Sequence, residues 1–536
     1  MIDKVKEFIN VYRTLTHNEL VLSWNDLLLS SSSSSSNDTC QYVLELLSLL
    51  PNNEKNEIII EILTVIQSLE SLSSSSSSSS SSLSSLPVFI DELNTLNSNK
   101  VDVLLINILT KMIERSANRI NDDTVNHILN YSLYKVGHDD ISISEIASKL
   151  VELCIIKYDA EKLVPVIVSH SQQYGNVSTI YIRYITIMAK ILTFSDRHFD
   201  ICLNAGAVNA IFDICRDNSD ILAQIVTIEL VLNFAYTSNG LQYLFTNGVM
   251  SWLIITACGS QSTRVTSNEL LGPTALRLIG EILIRSSSRS LIIDLCWFRE
   301  ESAELMNNFL QAIIMYIDGS EEVNRLIGIR ALTDLALSSK KGYNMVLSHD
   351  SLIQSLLSLL NAKNEVQAVV LHSIARILDQ QITEPSSEEK QSIEVPSDHD
   401  DEIYEQSISE KKLSLLRSIG TVKRMNTISY IIKTAKQPLP EIRLAAYDVL
   451  RAIAGQSKGM GIHLLYGTVG FREFIENRET EFSKEGKEAK FAVIETIALS
   501  KGFLSADVSN KIEAMIKEGP YYLPLILSDP MTESNE

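Results

Sequence analysis

The stretch Leu203-Asn-Ala-Gly206-Ala-Val208-Asn-Ala-Ile-Phe212 returns as Phe245-Thr-Asn-Gly248-Val-Met250-Ser-Trp-Leu-Ile254, with 42 residues from Gly206 to Gly248. Self-similarity at that period means one small supersecondary unit used repeatedly, each unit burying its apolar face against the next. A glycine at the same place in both copies predicts a helix end where the chain turns with positive φ. Three further segments rhyme: Phe234-Ala235-Tyr236-Thr237-Ser238-Asn239-Gly240, Leu335-Ala336-Leu337-Ser338-Ser339-Lys340-Lys341-Gly342 and Ile453-Ala454-Gly455-Gln456-Ser457-Lys458-Gly459. Each has an apolar residue, an alanine and a polar turn reaching glycine, the expected close of a repeat's long helix.

A period near 42 is that of armadillo and HEAT repeats, and the fold class expected is all-α, an armadillo/HEAT-like helical repeat solenoid (superhelix). Composition agrees: 45% hydrophobic residues can fill a large core, while 20 Gly and 11 Pro in 536 residues are too few for an all-β chain. Apolar residues in Ile221–Phe234 are too dense for one stripe, so that helix is expected to pack on several sides; Ile180–Leu192 and Leu326–Leu337 read the same way.

Three stretches interrupt the pattern. The serine runs Ser30–Ser36 and Ser73–Ser82 cannot bury apolar surface and read as flexible insertions. Asp379–Glu410 holds eleven acidic residues, one lysine, Pro385 and Pro396, and reads as a disordered acidic loop. Lys411–Lys436 then carries seven basic residues and no acidic one, the mark of a solvated helix face or of a contact for an acidic surface. The expected organisation is N-terminal helical repeats over 1–70, a serine-rich insertion over 71–86, a helical repeat solenoid over 87–378, the acidic loop over 379–410, C-terminal helical repeats over 411–527 and a tail over 528–536.

The formal charge of −20 argues against a nucleic-acid binder. Cys40, Cys154, Cys202, Cys215, Cys258 and Cys296 form no C-x-x-C pair and read as reduced thiols, which points to a reducing compartment. No secretory signal core and no apolar run of about 18 residues is seen. The histidines occur singly, without H-E-x-x-H or a cysteine pair to complete a zinc site, and His399 is flanked on both sides by acids, Asp398 and Asp400-Asp401. There is no phosphate-binding glycine loop and no G-x-S-x-G elbow. No catalytic, cofactor-binding or metal-ligating residue is therefore nominated, no cofactor is expected, and an enzyme is not the expected reading. Among Trp24, Trp252 and Trp297, Trp252 is expected in the core.

The C-terminal block is the most specific text. Pro440-Glu441-Ile442-Arg443-Leu444-Ala445-Ala446-Tyr447 leads to Val469-Gly470-Phe471-Arg472-Glu473-Phe474-Ile475-Glu476-Asn477-Arg478, then to Lys484-Glu485-Gly486-Lys487-Glu488-Ala489-Lys490-Phe491 and Glu518-Gly519-Pro520-Tyr521-Tyr522. This succession, with Glu229–Gly248 in the middle, resembles the 26S proteasome non-ATPase regulatory subunit 5 family. The resemblance implies a cytoplasmic chaperone, with the nucleus a second compartment open to it, for assembly of the proteasome regulatory particle base. It implies binding to the C-terminal domain of an AAA ATPase subunit, regulatory subunit 7, alongside regulatory subunit 4 and non-ATPase subunit 2, and release before the mature proteasome forms. A monomer when free, no nucleic acid and no membrane are the accompanying expectations; individual partner-binding residues are not assigned. The alternative is an armadillo-type adaptor or transport scaffold, whose groove would favour regularly spaced Trp and Asn.

Overall fold

A computed structural model describes residue 63 and residues 86–96, 98–115, 120–174, 178–216, 220–259, 267–286, 290–298, 302–380, 399–456 and 459–521. The described residues are all-α, with no strand among them, and they fall into two compact units meeting between Gly240 and Leu241. The sequence reading placed no boundary there, because a helix runs through it.

The first unit contains α1 (Leu86–Asn94), α2 (Asn99–Arg115), α3 (Asp122–Val136), α4 (Ile141–Lys157), α5 (Ala160–Ser171), α6 (Thr179–Ile191), α7 (Asp196–Asn204), α8 (Ala207–Arg216) and α9 (Ile221–Leu230), which tightens into a 3₁₀ turn over Val231–Tyr236. Helices α2, α4, α6 and α9 pack each on the next as one row, and α1, α3, α5 and α7 form a second row alongside. The core lies between the rows. Asn121, Asp140, Asp159, Ser178, Ser195 and Asp220 each cap the helix that follows with a side-chain oxygen, so short polar residues set the register of α3 to α7 and of α9.

The boundary falls inside α10 (Ser238–Thr246). The second unit continues through α11 (Val249–Cys258), α12 (Ser267–Arg285), α13 (Ser290–Cys296), α14 (Ala303–Asp318), α15 (Glu322–Ser338), α16 (Lys340–Ser348), α17 (Asp350–Ser358), α18 (Asn364–Asp379), α19 (His399–Lys423), α20 (Thr427–Ala435), α21 (Pro440–Ala454), α22 (Met460–Tyr466), α23 (Phe471–Glu476), α24 (Lys484–Leu499) and α25 (Ala506–Glu518). Here α12, α15, α18, α21 and α24 pack successively into an inner row, with α11, α14, α17 and α19 behind it. Armadillo/HEAT-like repetition thus holds within each unit. Helix α25 turns Val508, Ile512 and Met515 inward and leaves most of its other positions polar and exposed.

The repeat glycines act in two ways. Gly206, Gly248 and Gly470 have φ of +84°, +73° and +87° and join a repeat's first helix to its second, so the turn expected at Gly206 and Gly248 is present. Gly240 and Gly342 lie instead in the first turn of α10 and α16, where a Cβ would collide with the carbonyls of Phe234 and Leu335. Just after the third rhyming segment that role passes to Gly461, against the Ile453 carbonyl. Close approach, more than backbone conformation, selects glycine at these three.

Several expectations are corrected. Helix α9 is not enclosed all round: Leu222 and Val226 are 75% and 46% exposed, because α9 belongs to a row and one face stays open. Trp252 is half-buried, and among the described residues Trp297 is the wholly buried tryptophan. The stretch Asp379–Glu410 is not loop throughout, since α18 ends on Asp379 and α19 begins at His399; acids at a helix start are favoured by its dipole. Both serine runs and 381–398 lie outside the described residues. Cys154, Cys202 and Cys215 are buried free thiols, each pushed up to about 12 by burial, while Cys258 and Cys296 are half-buried. Among the described residues no single helix is long and apolar enough to cross a membrane; α10 and α11 reach that length only together, bent by 58°.

Candidate protein-binding face

Four row helices, α9 in the first unit and α15, α18 and α21 in the second, share a contact that sequence reading missed. The fourth residue of α9, α15, α18 and α21 is Gln224, Arg325, Gln367 or Arg443, and each side chain donates backwards to a carbonyl ending the preceding helix or turn. Gln224 Nε2 reaches Cys215 O at 3.2 Å, Arg325 Nε reaches Gly319 O at 2.6 Å, Gln367 Nε2 reaches Leu360 O at 3.2 Å and Arg443 Nη1 reaches Pro438 O at 3.0 Å. A helix C-terminus leaves carbonyls without intrahelical donors, and a long polar side chain one element later satisfies them. The signal was legible in principle, as Gln or Arg three residues after each helix start.

The basic stretch does similar work. Lys411 Nζ donates to Asn344 Oδ1 at 2.8 Å. Lys412 Nζ donates to Leu378 O at 2.8 Å and Gln380 O at 3.2 Å, where α18 ends. Lys423 Nζ donates to Leu360 O at 2.8 Å and Asn361 Oδ1 at 2.7 Å, and sits over the Tyr430 ring. Burial lowers Lys412 to about 8. Two of the seven cations, Lys412 and Lys423, are therefore spent on internal helix ends and Lys411 on the Asn344 side chain of α16, while Arg417, Arg424, Lys433 and Lys436 remain exposed.

The family-like text serves packing. Phe471 and Phe474 are buried; Phe471 meets Tyr466 edge-on, and Phe474 stacks on Tyr447 beneath the Lys490 ammonium. Lys490 Nζ donates to Phe474 O and Thr480 Oγ1, both at 2.7 Å, and to Asn477 O at 2.5 Å. Burial brings it to about 8. Tyr447 donates to Glu481 Oε1 at 2.7 Å, with Arg443 Nε 3.4 Å from the other oxygen.

Across the inner row, from α12 to α21, runs a line of charged groups. On α12, Arg277 holds Glu281 at 2.8 Å. On α15, the carboxylate of Asp334 is 4% exposed and lies 4.0 Å from Arg330 and 3.8 Å from Arg376 of α18. Between α18 and α21, His372 meets Asp448 at 2.9 Å and Asp379 meets Arg451 at 3.1 Å. Desolvation raises Asp334 to about 6 despite the two guanidiniums. At the N-terminal edge, α15, α18, α21 and α24 each carry a first-turn glutamate, Glu322, Glu365, Glu441 and Glu485, where the helix dipole favours negative charge. Such a face offers charged side chains on rigid helices and suits protein recognition.

Among the described residues no group of three or more His, Cys, Asp or Glu is placed to hold a metal ion. The histidines are used singly: His349 caps α17 through Nδ1, His138 accepts from Asp140 N at 2.9 Å, and His170 packs beside Tyr174 and Tyr184. The side chain of His399 lies outside the described residues.

Residues 422–528 match the family described as Proteasome non-ATPase 26S subunit. A human protein named 26S proteasome non-ATPase regulatory subunit 5 is 23% identical over 445 residues, covering 79% of this chain and 79% of the relative. The bovine protein of that name is 22% identical over 452 residues, covering 80% and 79%, and the mouse protein 22% identical over 421 residues, covering 75% of each. The chain is similar over most of its length to proteins named non-ATPase regulatory subunit 5. The family resemblance seen in the C-terminal block thus extends through most of both chains, and its relatives are named as non-ATPase subunits. Among solved structures, an engineered protein covers 85% of the chain at 13% identity with a TM-score of 0.41, and a designed armadillo repeat protein covers 54% at 14% identity with a TM-score of 0.32.

Proposed function

We propose that this chain is a chaperone for assembly of the 26S proteasome regulatory particle base. It holds the C-terminal domain of an AAA ATPase subunit, regulatory subunit 7, in an intermediate that also contains regulatory subunit 4 and non-ATPase subunit 2. It leaves before the mature proteasome forms. The observation that carries this reading is the breadth of the family match, which covers about four fifths of this chain and as much of the human relative. The inner row supports it, because stacked helices present a long surface able to hold a folded domain. A cytoplasmic monomer when free fits the same role.

Capture from cytosol tests it. Immobilised chain is expected to retain base ATPase subunits without the 20S core. Recovery of complete 26S particles in stoichiometric amounts, or of nuclear-transport factors alone, would count against the chaperone and, in the second case, for the armadillo-type adaptor.

A further inference from the structure

We infer that Arg330 and Arg376 form a clamp for one acidic side chain of the protein this chain holds, an inference that rests on the protein-holding role proposed above. The guanidiniums belong to adjacent inner helices, α15 and α18, and are 65% and 49% exposed. Both lean toward the buried carboxylate of Asp334, at 4.0 and 3.8 Å, which is beyond hydrogen-bond reach. The arginines on either side differ: Arg277 is closed on Glu281 at 2.8 Å and Arg451 on Asp379 at 3.1 Å. Two cations thus share one carboxylate, leaving a local positive surplus on a chain whose formal charge is −20. Arginine forks are built for planar, two-point recognition of a carboxylate.

Asp334 is a positioning residue. It lies beneath the pair with Gly280 of α12 beside it, where an added Cβ would come within 3.1 Å of Asp334 Oδ2. The glycine leaves room for the carboxylate, and the carboxylate draws the two forks together. The edge glutamates Glu322, Glu365, Glu441 and Glu485 define the rest of the occupant. A polyanion would be repelled there, so the segment that fits presents one Asp or Glu among neutral or basic residues.

The test is a titration of the full chain with the C-terminal domain of regulatory subunit 7, read by calorimetry. The double reversal Arg330→Glu with Arg376→Glu is expected to weaken binding about tenfold or more. Arg330→Lys with Arg376→Lys should fall between, and Lys511→Glu on α25 should bind as the parent does. An unchanged urea midpoint shows that the reversed chain is folded. Equal affinity of parent and double reversal would overturn the clamp and leave the chaperone role standing. Failure of the parent to bind the domain would sink the chaperone role instead. The clamp is then judged by the Nε–Hε resonances of Arg330 and Arg376, assigned from the lysine variants, on adding a peptide with one Glu between Lys and Gly residues. Resonances that move together support it; resonances that stay put reject it.

Discussion

Lys135 Nζ and Asp102 Oδ2 lie 2.8 Å apart with side chains only 3% and 4% exposed, and Tyr131 donates to the same carboxylate at 2.9 Å. The pair joins α2 to α3. A buried ion pair adds little over an apolar pair of the same shape, but removing one partner leaves a buried charge alone. Asp102→Ala should therefore cost about 3–5 kcal/mol. Asp102→Leu combined with Lys135→Met should recover much of that loss. Urea unfolding with a constant m-value measures both, and equal stabilities for single and double variants would contradict the pairing.

Asp334 predicts a pH signature. Its folded value is raised, from 3.8 to about 6, mainly by desolvation. A carboxyl raised on folding contributes stability that is complete below the unfolded value and is lost as pH rises through the folded one. Asp334→Asn keeps the neutral shape, so at pH 7 it should be more stable than the parent by roughly 1–3 kcal/mol. The advantage should shrink from pH 6 to pH 4. Thermal melts across that window decide it, and a variant less stable at pH 7 would show that the arginines outweigh burial.

Glycine substitutions separate close approach from mere flexibility. Gly461→Ala drives a methyl into the Ile453 carbonyl, whereas Gly502 has no neighbour within 4 Å of an added Cβ. The first should cost about 2–4 kcal/mol through forced separation of α21 and α22. Gly502→Ala should change stability by less than about 0.5 kcal/mol. Similar midpoints for the two would refute the packing account.

Lys490→Met removes the donor that serves Phe474 O, Asn477 O and Thr480 Oγ1. Unpaired buried acceptors should make it about 2 kcal/mol less stable at pH 7. The parent's lysine, lowered to about 8 by burial, contributes stability that is present above the unfolded value near 10.5 and lost as pH falls through about 8. The gap between parent and variant should therefore widen from pH 7.5 to pH 9.5. Hydrogen exchange at α23 and the start of α24 is the direct readout, and unchanged protection would exclude this lysine as the tie.

What could be read in advance followed from local rules. The glycines at 206 and 248 announced themselves because a left-handed turn tolerates few other residues, and helix density followed from apolar spacing. Arg330 and Asp334 were not separable from any other i,i+4 pair, since nothing in the linear text says that Asp334 is buried or that Arg376 of the next helix shares it. Lys412 was read with its neighbours as part of a basic face, because charge counting ignores carbonyls waiting at helix ends. Leu222 and Val226 were counted as core, since apolarity does not disclose which side of a row has no neighbour. The acidic run ending at Glu410 was read too uniformly: a composition that resists burial can still begin a helix when the later residues, such as Ile408 and Leu415, find a core.

The tie from Lys412 to Leu378 and Gln380 joins the chain before residues 381–398 to the chain after them. Gln456 Nε2 also holds Leu378 O at 2.8 Å, and α18 packs along α21. A protease cutting within 381–398 would therefore produce two polypeptides that still migrate as one particle under native conditions and part only in denaturant. Continuity of the body at this point resides in side chains and helix packing, and the covalent backbone is dispensable to it.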